Sequence, residues 1–142
     1  MVLVDGAGTP LGVHLDSASP AEVKLVDLTL ETVRVGRLSP GRPRSRPKRI
    51  IADKAYDSDP LRKHLRNRGI ELIVPHRKKR RKPPTQDGRP LRRYKRRWIV
   101  ERTNAWLQNF RRLVVRYERS AKIFLGLVHM ACAIIVLKRV FG

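Results

Sequence analysis

Glu101 is the first candidate for a chemical role, because it lies in a segment from Tyr94 to Lys122 that is otherwise rich in arginine and aromatic residues. In a continuous α-helix, with about 100° of rotation per residue, four polar residues would fall within roughly 40° of Glu101. These residues are Tyr94, Arg97, Gln108 and Arg112. An acid beside a tyrosine and two guanidinium groups is suited to binding phosphate and metal ions. Spacing alone leaves an alternative open, in which Glu101 is exposed and pairs with Arg97 or Arg102.

The opposite face of this predicted helix is apolar and would be buried. It carries Ile99, Trp106, Phe110 and Leu113. Trp98 lies about 60° from Glu101, so it could stack on a partner or pack at the edge of the core. The helix would therefore bury one face and present the acid on the other.

Asp53 is the second candidate, because it follows a short apolar strand, Ile50 to Ala52. The next residues predict a helix that starts at an Asp-Pro pair and ends at a glycine, and then a second strand from Ile70 to Val74. This order indicates parallel pairing, and an acid at the carboxyl end of such a strand faces the crevice where open α/β sheets bind ligands. The alternative is that Asp53 only caps the loop amides after the strand. Two further acids are better explained by turn and N-cap chemistry: Asp57 and Asp59.

An unbroken run of six basic residues is a candidate for contacts with phosphate. The run is Arg77, Lys78, Lys79, Arg80, Arg81 and Lys82. Such a run is solvated or disordered unless phosphate orders it, and it adds affinity for DNA without reading bases. It belongs to a predicted basic loop over about 76–90, and a second basic loop is predicted over about 36–49. A plain solvated linker explains the second loop equally well.

The composition points to a polyanionic partner, with nucleic acid favoured. The chain has 33 Lys plus Arg against 12 Asp plus Glu, and a net charge of +21 on 142 residues is too large for an ordinary enzyme of small metabolites. With 41% hydrophobic residues, the chain can form one domain with a core over residues 1–142. Cys132 is expected to be a buried thiol of a reducing compartment. The apolar stretch from Ile123 to Leu137 predicts a buried core helix rather than a membrane span.

The amino-terminal elements complete an α/β pattern. Val2 to Val4 and Leu11 to Leu15 flank the turn-rich segment DGAGTP and predict an antiparallel hairpin. Ser19 and Pro20 then offer an N-cap and a first helical residue, so a helix is expected from there to about Val33.

Two of these motifs resemble a known family. The segment IIADKAYDSDPLRKHLRNRGIELIVPHR, which contains Asp53, and the segment that starts YKRRWIVERTNAWLQNF look like the carboxyl-terminal part of a bacterial insertion-sequence transposase of the DDE type. The most specific signature is a tyrosine, an arginine after two residues and a glutamate after three more, here Tyr94, Arg97 and Glu101. The resemblance implies an RNase H-like mixed sheet flanked by helices, N-terminally truncated here, with a helical C-terminus.

The resemblance also implies roles for these residues. Asp53 would be the second and Glu101 the third of three acids that bind two divalent ions, Mg²⁺ or Mn²⁺, for DNA cleavage and strand transfer. Two such ions can stabilise the attacking and the leaving oxygen of a displacement at phosphorus. Tyr94 and Arg97 would hold the backbone of transposon-end or target DNA. The resemblance further implies a homodimer and a cytoplasmic, nucleoid-associated location, without a membrane partner.

Two departures from the family pattern limit these expectations. The family has a lysine seven residues after the glutamate, where this chain has Gln108, and Arg112 one turn further could supply the charge. The first acid of the family lies on a strand before the hairpin, and neither Asp5 in its turn nor Asp16 before the helix is a good substitute. We therefore expect the chain to be a fragment, inactive alone unless an upstream segment supplies that acid.

Three hypotheses about function remain open from the sequence. The chain is the carboxyl-terminal catalytic portion of a transposase, a basic nucleic-acid-binding protein without chemistry, or a transposase remnant without function. Metal ions should alter the surroundings of Asp53 and Glu101 together under the first hypothesis, and leave both unchanged under the second.

Overall fold

The computed structural model describes residues 1–17, 21–78, 80–85 and 88–142. The chain starts with an antiparallel hairpin of β1 (Val2–Val4) and β2 (Pro10–Val13), which confirms the prediction. Helix α1 (Glu22–Glu31) follows and packs against the hairpin. The cap predicted at Ser19 and Pro20 lies outside the described residues, and α1 begins without a side-chain cap.

The predicted unit of strand, helix and strand is confirmed. Strand β3 (Arg49–Ile51) leads through a 3₁₀ turn (Lys54–Tyr56) into α2 (Asp59–Asn67), and β4 (Glu71–Ile73) pairs in parallel with β3. The hydroxyl of Ser58 accepts a hydrogen bond from the amide of Leu61 at 3.4 Å, so Ser58 caps α2 and the N-cap role predicted for Asp59 is wrong.

The strands form two separate two-stranded sheets in the described part of the chain, β1 with β2 and β3 with β4. The fold is thus mixed α/β, as predicted at the level of class. A single RNase H-like sheet would have to join the two pairs, and that finer assignment stays a prediction. Both β1 and β3 contribute residues to the same two cavities, described below.

The arginine-rich segment is not one continuous α-helix, contrary to the prediction. It begins as a 3₁₀ segment (Arg92–Arg97), continues as α4 (Trp98–Gln108) and breaks at Asn109 and Phe110. Phe110 has φ −87° and ψ 102°, an extended conformation that ends the helix. Residues beyond the break therefore do not share a face with Glu101.

The part of the chain that the structure describes has three further helices, namely α3 (Gly88–Leu91), α5 (Arg111–Val114) and α6 (Ala121–Phe141). Helix α3 overlaps the end of the basic loop predicted over about 76–90, so residues 88–90 of that range are helical. The basic segment over 36–49 has an isolated bridge between Val35 and Arg44 before β3 begins.

Two hydrophobic clusters hold these elements together. The first cluster includes Leu30 of α1, Leu65 of α2 and Leu72 of β4. The second cluster joins β2, α4 and α6 and includes Leu107 and Cys132. Cys132 is buried as predicted, and burial raises the pKa of its thiol.

Helix α6 is less buried than the sequence predicts. Ala131, Cys132 and Ile135 are buried, whereas Met130 and Leu137 are 59% and 53% exposed, so the prediction of a buried core helix is wrong for one side of α6. By length and composition alone, α6 could cross a membrane, but a core helix passes the same test. The side of α6 that carries Met130 and Leu137 is not covered by the described part of the chain.

Candidate active site

Asp53 and Glu101 line one cavity of about 320 Å³, although they lie on different elements and far apart in the sequence. Asp53 follows β3, and Glu101 lies on the first turn of α4. On α4, Arg97, Val100 and Asn104 line the same cavity, as expected for one helical face. The structure thus brings the two predicted acids to one place.

The Asp53 carboxylate also caps the loop that follows β3. Its Oδ1 accepts a hydrogen bond from the amide of Ala55 at 2.7 Å, and this bond starts the 3₁₀ turn. The capping role that the sequence leaves open is therefore present. It orients the carboxylate and does not remove it from the cavity.

Glu101 forms an ion pair with Arg97, one turn earlier in the chain. The Arg97 guanidinium lies 5.8 Å from the centre of the Tyr94 ring, so the three signature residues form one row, and the Glu101 side chain is 53% exposed. Of the two partners that spacing permits, Arg97 is the one observed. Arg102 instead donates to the carbonyl of Ala7 at 2.8 Å.

Arg102 also organises the two tryptophans. Its guanidinium lies 4.7 Å from the ring of Trp98 and 4.8 Å from the ring of Trp106. Trp106 packs against the second cluster as predicted, while Trp98 remains 52% exposed at the edge. Stacking on an arginine fixes both rings without DNA.

Arg112 does not lie beside Glu101, contrary to the sequence prediction. Its guanidinium bonds the carboxylate of Glu118 at 3.0 Å and lies 5.7 Å from the ring of Tyr117. The break after Gln108 is the reason, because α5 starts a new direction. Arg112 therefore does not replace the family lysine at this face.

Glu22 and Tyr56 line the same cavity, and sequence reasoning missed both. Burial raises the pKa of the Tyr56 hydroxyl, and the charge and hydrogen bonding of Glu22 and the charge of Asp53 raise it further. The Tyr56 hydroxyl therefore keeps its proton at ordinary pH and can donate a hydrogen bond to Glu22. The sequence gives no signal for this contact, because Glu22 reads as a helix-start residue and reaches Tyr56 only when α1 packs on the 3₁₀ turn.

A second cavity, of about 310 Å³, is lined by four arginines. They are Arg49, Arg93, Arg96 and Arg97. Arg97 lines both cavities, so guanidinium groups adjoin the carboxylates. Arg96 donates to the carbonyl of Gly6 at 2.8 Å, which ties this wall to the β1–β2 turn. We call this space the arginine cavity and its neighbour the acid cavity.

The acids nearest the amino terminus are used locally. Asp5 Oδ1 accepts from the amides of Ala7 and Thr9, each at 2.8 Å, in the turn that the sequence predicts. Burial would raise the pKa of Asp5, but these amide bonds lower it. Asp16 accepts from the amide of Ser17 at 2.7 Å.

Asp57 is a buried hub, with its side chain 3% exposed. It accepts hydrogen bonds from Arg62 and His76 and from the amide of Arg77, all at 2.9 Å. Burial would raise the pKa of Asp57, but these donors hold it at about 2. Asp57 therefore does more than the predicted turn role, because it joins α2 to the segment that follows β4.

The basic run that begins at Arg77 is partly fixed by the chain itself. The Arg77 guanidinium donates to the carbonyls of Lys54 and Ala55, and Arg80 grips both oxygens of Asp59 at 2.9 and 3.0 Å. Arg80 is half-buried, so the prediction of a solvated or disordered run is wrong there, whereas Arg77 is exposed and held at the surface by its two hydrogen bonds. The remaining members are exposed or outside the described residues: Lys78, Arg81 and Lys82 are exposed, and Lys79 is not described.

The donor chemistry of the acid cavity fits a hard metal ion only in part. Asp53 and Glu101 supply carboxylate oxygens, which Mg²⁺ prefers. Among the described residues, no group of three or more His, Cys, Asp or Glu side chains could hold a metal ion. A metal at this cavity would need further ligands, and Glu101 would have to exchange Arg97 for it.

Fold and site together define an α/β protein that sets carboxylates beside a cluster of guanidinium groups. The chain matches the family described as "Transposase DDE domain" over residues 1–136, and it belongs to that family. The resemblance seen in the two sequence motifs is thereby confirmed. The family usually uses divalent metal ions and acts on DNA.

Two curated relatives are similar to this chain. The putative transposase for insertion sequence element IS402 of Burkholderia cepacia is 37% identical over 134 residues, which are 94% of this chain and 60% of the relative. The putative transposase for insertion sequence element IS6501 of Brucella ovis is 37% identical over 90 residues, or 63% of this chain and 67% of the relative. The match thus spans about 60% of the length of the first relative. No solved structure gives a significant match.

Proposed function

We propose that this chain is part of the DNA-cleaving and strand-joining domain of an insertion-sequence transposase, with Asp53 and Glu101 as two of its metal-binding acids. The observation that carries the proposal is the cavity that both side chains line. Family membership supports it, because both motifs lie within the matched residues 1–136.

Asp53 and Glu101 would hold Mg²⁺ or Mn²⁺ at the acid cavity. When bound, such ions stabilise the charge on the oxygens that attack and leave a phosphodiester. The task of the chain itself is to keep both carboxylates oriented before the ion arrives. The amide of Ala55 does this for Asp53, and Arg97 does it for Glu101.

The arginine cavity would hold the DNA backbone next to these acids. Guanidinium groups bind phosphate through paired hydrogen bonds, and such contacts position DNA without reading its sequence. Tyr94 and Arg97 would act here as positioning residues, joined by Arg93 and Arg96. The exposed Lys78, Arg81 and Lys82 would add contacts outside the cavity.

A further acid would come from a strand placed between the two sheets. In the described part of the chain, β1 pairs only with β2 and β3 only with β4, and residues of β1 and β3 line both cavities. A strand from an upstream segment or a partner chain could pair with these free edges. Such a strand would bring its carboxylate to the acid cavity and complete the ligand set. The greater length of the IS402 relative leaves room for it.

The metal assignment can be tested on the chain as it is. Titration with Mn²⁺, followed by ¹H–¹⁵N NMR, should broaden the amide signals next to Asp53 and next to Glu101 at the same metal concentration. Asp53→Asn should reduce the broadening at both places, and so should Glu101→Gln. Glu31→Gln removes an exposed acid at the end of α1 and should change neither. Equal broadening around all surface acids would refute the shared site.

Activity requires a longer chain under this proposal. A version extended to the length of the relatives should nick DNA that carries the element's ends when Mg²⁺ or Mn²⁺ is present. Asp53→Ala or Glu101→Ala should each abolish nicking. If the extended protein folds, binds DNA and still does not cleave with either ion, the catalytic assignment fails for this copy.

A second candidate function is DNA binding without chemistry. The ion pair of Glu101 with Arg97 favours it, because this acid already has a partner within the chain. It predicts DNA affinity that Asp53→Asn and Glu101→Gln leave unchanged, and no joint response to Mn²⁺. A remnant without function would show neither the metal response nor cleavage by the extended chain.

A further inference from the structure

The turn between α5 and α6 places an exposed tyrosine among arginines. A surface cavity of about 490 Å³ lies there, lined by Arg111, Arg112, Val115 and Tyr117. We call these four residues the Tyr117 corner. In the described part of the chain, none of them lines the acid cavity or the arginine cavity. The corner is therefore a separate surface, beyond the break that ends α4.

Glu118 orients Arg112 at this corner. The Glu118 side chain is 10% exposed and accepts a hydrogen bond from the Arg112 guanidinium at 3.0 Å, whereas the Arg112 side chain is 68% exposed. The second carboxylate oxygen of Glu118 is buried and has no hydrogen-bond partner among the described residues. Burying that oxygen costs free energy, and an ion pair with one partner in solvent returns little of it. The arrangement therefore orients an exposed guanidinium rather than stabilising the core.

Arg116 fixes the backbone of the same turn. Its guanidinium donates to the carbonyls of Glu118 at 2.9 Å and of Arg119 at 3.4 Å, and lies 5.2 Å from the centre of the Phe124 ring. Leu113 packs on the second cluster and anchors α5. The corner is thus formed before a ligand binds, which lowers the entropic cost of binding.

Tyr117 presents its ring to solvent. The residue is 72% exposed, and the Arg112 guanidinium lies 5.7 Å from the ring centre. Most of the ring surface is therefore open to a planar ligand. Exposed aromatic rings bind nucleobases by stacking, and every base has a face that can stack. Guanidinium groups beside the ring can bind the phosphates next to that base.

An unpaired nucleotide matches the Tyr117 corner better than duplex DNA or an acidic peptide does. Within a duplex, the faces of each base are covered by its neighbours, so the Tyr117 ring would have no base to stack on unless one left the helix. An acidic peptide would pair with the arginines and leave the ring unused. The net charge of +21 favours a nucleic acid as the source of the phosphates.

We propose that the Tyr117 corner binds an unpaired nucleotide of single-stranded DNA, with the base on Tyr117 and the adjacent phosphates on Arg111 and Arg112. The assignment rests on the proposed action on DNA, but not on metal binding or cleavage. It adds a contact with a base, whereas the arginine cavity contacts only the backbone. Cutting a strand deprives the terminal bases of a stacking neighbour, and the corner would replace that neighbour.

Tyr117→Ala tests the stacking. Fluorescence anisotropy without metal measures the affinity for a labelled strand of about six thymidines, in about 0.3 M salt to weaken contacts that depend on charge alone. Loss of one stacked base should weaken binding of this strand at least about fivefold. Tyr117→Phe keeps the ring and should bind like the unchanged chain. A duplex of the same length should bind equally to the unchanged chain and to both variants.

Phe141→Ala is the matched control, because it removes another ring, 81% exposed, at the far end of α6. It should bind the thymidine strand like the unchanged chain, and its melting temperature should equal that of Tyr117→Ala. Unchanged binding by Tyr117→Ala would overturn the proposal, as would an equal loss in Phe141→Ala. Polyglutamate that displaces the thymidine strand as well as unlabelled thymidine strand does would also overturn it, because that result indicates an acidic peptide.

A strand without bases separates stacking from charge. An abasic strand of the same length keeps every phosphate, so the unchanged chain should bind it at least about fivefold more weakly than the thymidine strand. Tyr117→Ala should lose most of this difference. If Tyr117→Ala weakens binding of both strands equally, the ring acts through the shape of the corner and the stacking assignment is wrong.

Arg111→Gln tests the phosphate contact without disturbing the pair of Arg112 with Glu118. On the thymidine strand, the slope of log K against log salt should fall by about 0.7, the value for one phosphate of a single strand. Arg34→Gln loses the same charge at a residue bonded to the carbonyls of Glu31 and Val33, and should change the slope less. Equal changes would remove Arg111 from the site. Failure at Tyr117 and Arg111 would leave the joint response of Asp53 and Glu101 to Mn²⁺ intact, so it differs from failure of the proposed function.

Discussion

At the scale of single residues, the acids of this chain divide by what surrounds them. Asp53 and Glu101 line an open cavity and keep part of their surface accessible. Asp57, four residues after Asp53, is enclosed by donors and has its pKa at about 2. Sequence spacing cannot separate these cases, because the partners of Asp57 come from other elements. The enclosed acid serves the fold, and the two open acids line a cavity although each has a partner within the chain.

Replacing Asp57 should destabilise the protein strongly. Arg62 forms an ion pair with Asp57 at 2.9 Å, and the Arg62 side chain is only 8% exposed. Asp57→Asn removes the negative charge of this pair. Breaking one partner of a buried ion pair costs about 3–5 kcal/mol, and the bonds of Arg62 to the carbonyls of Leu72 and Val74 should reduce this to about 2–4 kcal/mol. Urea unfolding at neutral pH measures the change. Asp16→Asn, at an exposed acid, should stay within about 0.5 kcal/mol.

The same carboxylate should govern acid stability. The ordinary pKa of an aspartate is 3.8, and the folded chain holds that of Asp57 at about 2. The unfolded chain therefore binds this proton first, so stability falls as the pH drops from about 4 towards 2. Asp57→Asn should flatten the fall in that range. An unchanged slope would show that another carboxylate dominates acid unfolding.

At the scale of elements, the sequence predicts those strands and helices whose limits are set by neighbouring residues. The hairpin and the β3–α2–β4 unit follow from short apolar runs bounded by turn residues, from a proline at the start of α2, and from Gly69, whose φ of +73° ends that helix. The break in the arginine-rich segment had no such signal. The apolar residues Phe110 and Leu113 pack on the second cluster, and that tertiary contact overrides the helix that spacing predicts. Asp53 and Glu101 were predictable as candidates, but their common cavity also needed the packing of α4 on β1 and of the preceding 3₁₀ segment on β3.

The contact between β2 and α1 predicts that Gly12 cannot be enlarged. A Cβ at Gly12 would lie 2.6 Å from Thr32 Oγ1 and 3.1 Å from the carbonyl oxygen of Thr29. Because the carbonyl is backbone and cannot swing away, Gly12→Ala should cost about 1–3 kcal/mol. Gly36→Ala is the control, because a Cβ at Gly36 meets nothing within 4 Å. The difference between the melting temperatures of the two variants therefore measures the cost of the clash. Equal melting temperatures of the two variants would mean that α1 yields at this contact.

At the scale of the whole molecule, charge and shape act together. The net charge of +21 predicts binding to any polyanion, but four arginines line one cavity beside the acids. Arginines in both places have partners within the chain: Arg62 pairs with Asp57 and Arg80 with Asp59 elsewhere, and Arg49 pairs with Glu71 and Arg97 with Glu101 at the cavity. Because four guanidinium groups converge on one cavity, the arginines of the arginine cavity should contribute more to DNA binding than their share of the total charge. This distinction can be measured by salt dependence.

Arg93→Gln should weaken binding to duplex DNA and reduce its dependence on salt. Each phosphate contact contributes about 0.9 to the slope of log K against log salt, so loss of one contact should lower the slope by about 1 whatever the DNA sequence. Arg34→Gln is the control, because Arg34 donates to the carbonyls of Glu31 and Val33 at the far end of α1. Both variants lose one positive charge, so a pure charge effect would lower both affinities and both slopes alike. Fluorescence anisotropy at several salt concentrations distinguishes the two results. A larger effect of Arg93→Gln means that DNA occupies the arginine cavity, whereas equal effects mean that the backbone lies elsewhere.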